Sequence, residues 1–227
     1  IEPNNPFYDG IGESTWIFAN VFFIFLFGAA LITGYILNKK SFNGYKNLTR
    51  ETGHLSSFAE KYGMPLCLIN FGIYGFMVLG YMNLIMLFTE GGAFYGPTVG
   101  SIFAAMTFAA TVQHPKNTWS IFGGYILLSI FVTLLYTSRN EPVPWSLSTQ
   151  GYINGVAFAT GLAPMAGKYG WKIGLISGII GASICTSTAA VHGGFMLFNG
   201  GFSAGITALI LVPILEHHFP HKGALYQ

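Results

Sequence analysis

The chain is expected to fold as an all-α, polytopic transmembrane helical bundle, and three observations predict it. Of its 227 residues, 52% are hydrophobic and 8% are charged, where a soluble globular chain carries about 25% charged residues. The apolar residues come in continuous runs of roughly 17–25, long enough to cross a hydrocarbon core. Those runs lack the period-2 alternation of strands, and inside lipid only helices or closed barrels satisfy every backbone polar group.

Seven hydrophobic segments follow in order: 15–37, 64–88, 97–113, 119–137, 147–167, 172–191 and 199–215. Residues 1–14 precede them as an extramembrane segment, 15–215 form the transmembrane domain, and 216–227 form a tail. The opening "IEPNNPFYDGIGES" lacks the basic n-region and apolar h-region of a signal peptide, and a start at Ile1 reads as a processed product or a piece of something longer. The first span opens beside Trp16. The inner amphipathic connection at about 38–63, "NKKSFNGYKNLTRETGHLSSFAEKYG", carries five of the ten basic residues and suits an anionic lipid surface. Cys67 in the second span and Cys185 in the sixth read as small hydrophobes.

Orientation comes from the lysines. With the N-terminus outside, the inner connections hold Lys39, Lys40, Lys46, Arg50, Lys61, Lys116, Lys168, Lys172 and Lys222, and only Arg139 falls outside. Cytoplasmic loops collect Lys and Arg, which puts the C-terminus in the cytoplasm of a multi-pass cell-membrane protein. Trp16 and Trp145 then lie at outer span ends, Trp119 and Trp171 at inner ones, where amphipathic rings prefer to sit.

Three segments share a texture: "GPTVGSIFAAMTFAATVQHP", "INGVAFATGLAPMAG" and "FNGGFSAGITALILVP". Each opens with Pro or Asn and Gly, continues in small residues and closes near another Pro, and all three run from outside to inside. The match of Asn154-Gly155 with Asn199-Gly200, each followed by small residues and a later Pro, suggests a degenerate internal repeat. Pro97 to Val112 would make a helix of about 24 Å, short of a core near 30 Å. Short, Gly/Pro-interrupted helices point to a substrate site in transporters, because a helix beginning inside the membrane has N–H groups that need a cap or a polar ligand. Asn154 and Asn199 suit that capping role, with Pro97 and Gly100 at the mouth of the short helix. The competing reading is close packing, as Gly174-xxx-Gly178-xxx-Ala182 of the sixth span would provide.

What is missing narrows the chemistry. The eight acids all lie in connections or at span ends, and no Lys or Arg is mid-span. Proton relays, ion-coupled pumps and voltage sensors need intramembrane charge, and the last span has no lysine for a retinal Schiff base. Neutral polar residues remain in the spans: Asn70, Asn83, Thr107, Gln113, His114, Asn154, Thr160, Thr186, Ser187, Thr188, His192 and Asn199. Thr188 and His192 share a helix face, although Ser and Thr also bond commonly to their own helix carbonyls. His217, His218 and His221 are compact enough to bind a divalent ion, with no second shell to make a catalytic site. No cofactor and no nucleic acid is expected.

The segments "GLAPMAGKYGWKIGLISGIIGAS" and "VHGGFMLFNGGFSAGITALILVPILEH" resemble the C-terminal part of an uncharacterised bacterial multispanning membrane protein family, a domain of unknown function. More distantly, "GPTVGSIFAAMTFAA" followed by "QGYINGVAFATGL" is similar to the urea-transporter repeat. Gly96-Pro97 replaces the family's Asn-Pro, Tyr152-Ile153-Asn154-Gly155 interrupts its Tyr-Asn-Gly, and its Leu-Pro-Phe filter signature is absent. The likeness implies a channel-like facilitator with a pore in each subunit and a homo-oligomer, a trimer or a dimer. The expected function is passive passage of a small polar, uncharged, urea-like solute along Asn154, Thr160, Thr186, Thr188, His192 and Asn199. A non-transporting scaffold packing through Gly174, Gly178 and Ala182 is the alternative. An enzyme using His114 or His192 comes last, for want of an acid partner.

Overall fold

A long apolar run in lipid can satisfy its N–H and C=O groups only along itself, and most of each run above is helical where the structure describes it. The computed structural model describes residues 12–54, 57–88, 96–188 and 196–219. Its helices are α1 (Gly12–Leu37), α2 (Tyr45–Leu48), α3 (Phe58–Phe88), α4 (Gly96–Met106), α5 (Pro115–Ser138), α6 (Gln150–Ala159), α7 (Ala163–Tyr169), α8 (Trp171–Thr188) and α9 (Met196–His218). One 3-10 turn, Thr160–Leu162, joins α6 to α7, and no strand occurs among the described residues. Trp16–Leu37, Phe58–Ile85, Pro115–Ser138 and Gly200–His218 are each long and apolar enough to cross a membrane. Outward side chains such as Phe25, 77% exposed, and Leu209, 72% exposed, form an apolar surface that suits lipid.

Side-chain pairings fix the directions. Gly34 packs on Pro65 and Ile69, and Asn20 bonds Asn83, so α1 and α3 are antiparallel. Ser120 meets Gly174 and Gly124 meets Gly178, so α5 and α8 are parallel. Thr98 pairs with Gln150 and Ser101 with Asn154, which makes α4 and α6 parallel. Cys185 reaches Gly151 and Ser177 reaches Met165, so α8 runs against α6–α7. The chain therefore alternates in direction, with α6, the 3-10 turn and α7 counting as one traverse. Of the nine described Lys and Arg residues, all except Arg139 lie at one end of the bundle, called here the basic end.

Among the boundaries that differ from those read in the sequence, three have a clear local reason. The second span begins at Phe58 and is kinked at Gly63, whose φ of 76° suits glycine, two residues before Pro65. The third is helical only to Met106. Beyond it, in a stretch containing β-branched Thr107, Thr111 and Val112, the carbonyls of Ala110 and Thr111 accept the N–H groups of Ala59 and Phe58 at the start of α3. The fifth tightens at Thr160 because Pro164 has no N–H to give that carbonyl and its ring crowds it.

Candidate functional site

Most of the buried polar residues lie on α3, α4, α5, α6 and the turn before α5, with Ser177 on α8 and Ser203 and Thr207 on α9. At the level of α4 and α6 they form a ladder. The Thr98 hydroxyl donates to Gln150 Oε1 at 3.1 Å, and Gln150 Nε2 donates to Asn154 Oδ1 at 2.9 Å. The Ser101 hydroxyl donates to the same Asn154 oxygen at 2.6 Å. Asn154 is buried, so its amide fastens two short parallel helices rather than capping either.

Toward the basic end a second group closes around the turn of residues 107–114. Asn70 on α3 is fully buried and its Nδ2 donates to the carbonyls of Ala109 and Gln113 at 2.8 and 2.7 Å. Those carbonyls belong to the chain just past the end of α4, so one side chain replaces two missing backbone donors. Gln113 Nε2 donates to Thr160 Oγ1 at 2.9 Å, and that hydroxyl donates to Ala157 O at 2.6 Å.

Between the two groups lies a cluster of phenols. Tyr152 donates to the Tyr125 carbonyl at 2.6 Å, its ring stacked on Trp145 with centroids 4.8 Å apart. The Tyr125 hydroxyl reaches the α6–α8 contact: a Cβ at Gly155 would sit 3.4 Å from it and 2.7 Å from Cys185 Sγ. Tyr81 stacks on Phe122 at 4.5 Å. The hydroxyls of Tyr74, Tyr81 and Tyr125, with Gln113 Oε1 and Ser120 Oγ, are buried and accept or donate no hydrogen bond within the protein. Tyr74 faces Thr118 and Thr160 without bonding geometry to either. Buried polar groups left this way cost about 1–3 kcal/mol each unless a water or a guest completes them.

The basic end is closed by residues 49–54. A Cβ at Gly53 would lie 2.4 Å from the Val112 carbonyl, and one at Gly167 would lie 2.1 Å from that of Thr52. His114 Nδ1 accepts the N–H groups of Lys116 and Asn117 at 3.2 and 3.3 Å, capping α5. An accepting Nδ1 requires the neutral ring with its proton on Nε2, which donates to Glu51 O at 2.9 Å. Burial, reinforced by the Lys116 charge, pushes this imidazole down to about 4 against the opposing pull of Glu51. Nearby, Lys168 Nζ lies 3.3 Å from His54 Nε2, whose pKa is lowered first by burial and then by that ammonium.

The residues singled out in the sequence thus scatter. Asn154 and Thr160 belong to the buried layers. Pro97 and Gly100 are exposed on α4, Gly100 with open space before it. Thr186 donates to Ala182 O and Ser183 O, and Thr188 to Ile184 O, each within its own helix. Asn199 lies in the first turn of α9, while His192 and His221 lie outside the described residues. Gly174, Gly178 and Ala182 are buried on α8, and a Cβ at Gly178 would lie 2.5 Å from Ile121 O. His217 and His218 are exposed with rings 5.0 Å apart, and no three His, Cys, Asp or Glu residues converge among those described. The sequence reading missed Tyr74, Tyr81 and Tyr125 by counting tyrosine as apolar. The seven-residue spacing of Tyr74 and Tyr81, two turns on one helix face, was the signal that could have found them.

What the layers offer is neutral hydroxyl and amide groups at hydrogen-bonding positions, with no charged side chain among them. Both nitrogens of His114 are occupied by backbone groups. A protein-family model described as "Protein of unknown function (DUF1576)" matches residues 37–217. No curated protein matches the chain, and no solved structure does.

Proposed function

The chain belongs to the family DUF1576, and we propose that it is a membrane-embedded facilitator for a small, polar, uncharged solute of the size and hydrogen-bonding character of urea. One observation carries this reading: the hydroxyls of Tyr74, Tyr81 and Tyr125 and the Oε1 of Gln113 lie buried where the helices meet, without a hydrogen-bond partner in the protein. A neutral set of donors and acceptors can replace the hydration of an uncharged solute without burying an unpaired charge. The pathway would run past these groups. Asn154 and Thr160 would act as its polar wall, and Thr186 and Thr188, bonded within α8, would stand outside it. The positive-inside rule places the basic end in the cytoplasm of a cell membrane. The Asn-Gly pairs of α6 and α9, Asn154-Gly155 and Asn199-Gly200, then belong to a degenerate repeat.

The test is stopped-flow swelling of proteoliposomes with urea, glycerol or formamide. Permeation should exceed that of protein-free liposomes. It should fall about tenfold in Tyr81→Phe/Tyr125→Phe, the change expected when a solute loses roughly 1.4 kcal/mol of hydrogen bonding. Rates equal to those of empty liposomes for every solute would sink the proposal.

A second reading, an assembly module, has its own support in α9. Gly201 and Gly205 are exposed four residues apart, and a Cβ added at Gly205 would meet nothing within 4 Å. Theirs is the small-xxx-small spacing of helix contacts in lipid. The glycines of α8 are already used against α5, so a homo-oligomer would form through α9 instead. Gly205→Ile should then reduce the subunit number measured by light scattering in detergent.

A further inference from the structure

Away from the central layers, a cavity of about 400 Å³ opens at the basic end between α2, α3 and the start of α5. Its lining is of two kinds: Phe42, Ile73 and Pro115 are apolar, and Lys46 on α2 and Lys116 on α5 carry positive charge. Both lysines are exposed. Neither makes an ion pair among the described residues, where Lys61 pairs with Glu51 and Lys168 with Glu216. The rings at this end also mark a membrane boundary: Trp119 stacks on Trp171 at 6.0 Å, with Lys172 above Trp171 at 5.8 Å. Tyr45, which also lines the cavity, donates to Asn70 Oδ1 at 3.3 Å.

We propose that this cavity binds an anionic phospholipid, its phosphate between Lys46 and Lys116 and the start of an acyl chain against Phe42 and Ile73. Two cations and an apolar surface in one cavity fit a ligand that is charged at one end and greasy at the other. A free phosphate would leave the apolar side in contact with water. The two lysines come from elements separated by all of α3 and α4, so the lipid would bridge α2 to α5. Basic pockets between helices at a membrane surface hold anionic headgroups in this way. The inference concerns a regulatory or structural lipid and does not depend on the solute pathway.

The test uses the full chain in nanodiscs containing phosphatidylcholine, with phosphatidylglycerol titrated in and bound lipid counted by native mass spectrometry. Wild type should retain phosphatidylglycerol over phosphatidylcholine. Lys46→Gln/Lys116→Gln should weaken retention roughly 30-fold, about fivefold for each charge, and Ile73→Trp should weaken it with the charges intact. Lys39→Gln/Lys40→Gln, two charges outside the cavity, should stay within about twofold. Equal retention in the Lys46/Lys116 variant would overturn the site, as would equal loss in the Lys39/Lys40 variant. Displacement of the lipid by millimolar inorganic phosphate would overturn the lipid and leave a soluble anion as the ligand.

Discussion

Two parallel helix pairs in this bundle are joined by opposite means. Between α5 and α8 the backbones touch: a Cβ at Gly124 would lie 2.4 Å from the Leu175 carbonyl and 2.8 Å from Gly178 Cα. Between α4 and α6 the side chains do the joining, through Thr98, Gln150, Ser101 and Asn154. Lipid tails are as apolar as leucine, so neither pair can rely on the hydrophobic effect alone. The glycine seam gains dispersion from close approach and leaves no room for anything else. The amide seam holds through hydrogen bonds, and polar groups that hold helices can also be lent to a visitor. The difference teaches where to look for function in the molecule.

The contrast is broken most severely in the glycine seam. Gly124→Val would push a branched side chain into backbone that cannot yield, at a cost of more than about 4 kcal/mol. The measurement is refolding yield and unfolding by SDS titration, which should show little folded protein. Next comes pH, acting at the foot of the amide seam. The folded His114 titrates at about 4 against an ordinary 6.5, so the fold favours the neutral ring. Its contribution is complete above pH 6.5 and declines as pH falls toward 4, by up to about 3 kcal/mol. Unfolding midpoints between pH 4 and 7 should show this slope, and His114→Gln should flatten it. A smaller loss, about 2 kcal/mol, is expected for Asn154→Leu, which strands the Gln150 donor and leaves the Ser101 hydroxyl only the Pro97 carbonyl. Ser101→Ala should cost less in that variant than in the unaltered chain, a coupling the glycine seam would not show. The smallest effect sharpens the comparison: Gly205→Ala, with open space before it, should change stability by less than about 1 kcal/mol, toward gain.

Four of the seven segments were legible as helices able to cross a membrane, because lipid imposes one rule, length and apolarity, that can be read residue by residue. Their alternation was legible for a related reason: the lysines mark one end. The packing glycines Gly174 and Gly178 also announced themselves, through spacing. Partnerships were not legible. Nothing in the order of residues says that Asn70 will supply donors to Ala109 and Gln113, since that depends on where the helix ends, and α4 stops at Met106 to serve the first turn of α3. Thr186 and Thr188 looked like pathway residues because they cluster, yet a hydroxyl on a helix has its own carbonyl four residues back as the nearest acceptor. The phenols were missed because tyrosine is both a ring and a donor, and sequence shows only that it is there.

The clasp at residues 49–54 also sets a schedule for making the protein. Glu51 meets His114 63 positions later, and His54 meets Lys168 114 positions later. On a ribosome adding about 5–20 residues each second, the segment emerges several seconds before its last partner exists. The α1–α3 hairpin must wait in the membrane with its connecting loop undocked. Assembly is therefore completed from the end of the chain backwards, and a nascent chain stopped before Val112 should leave residues 49–54 open to protease.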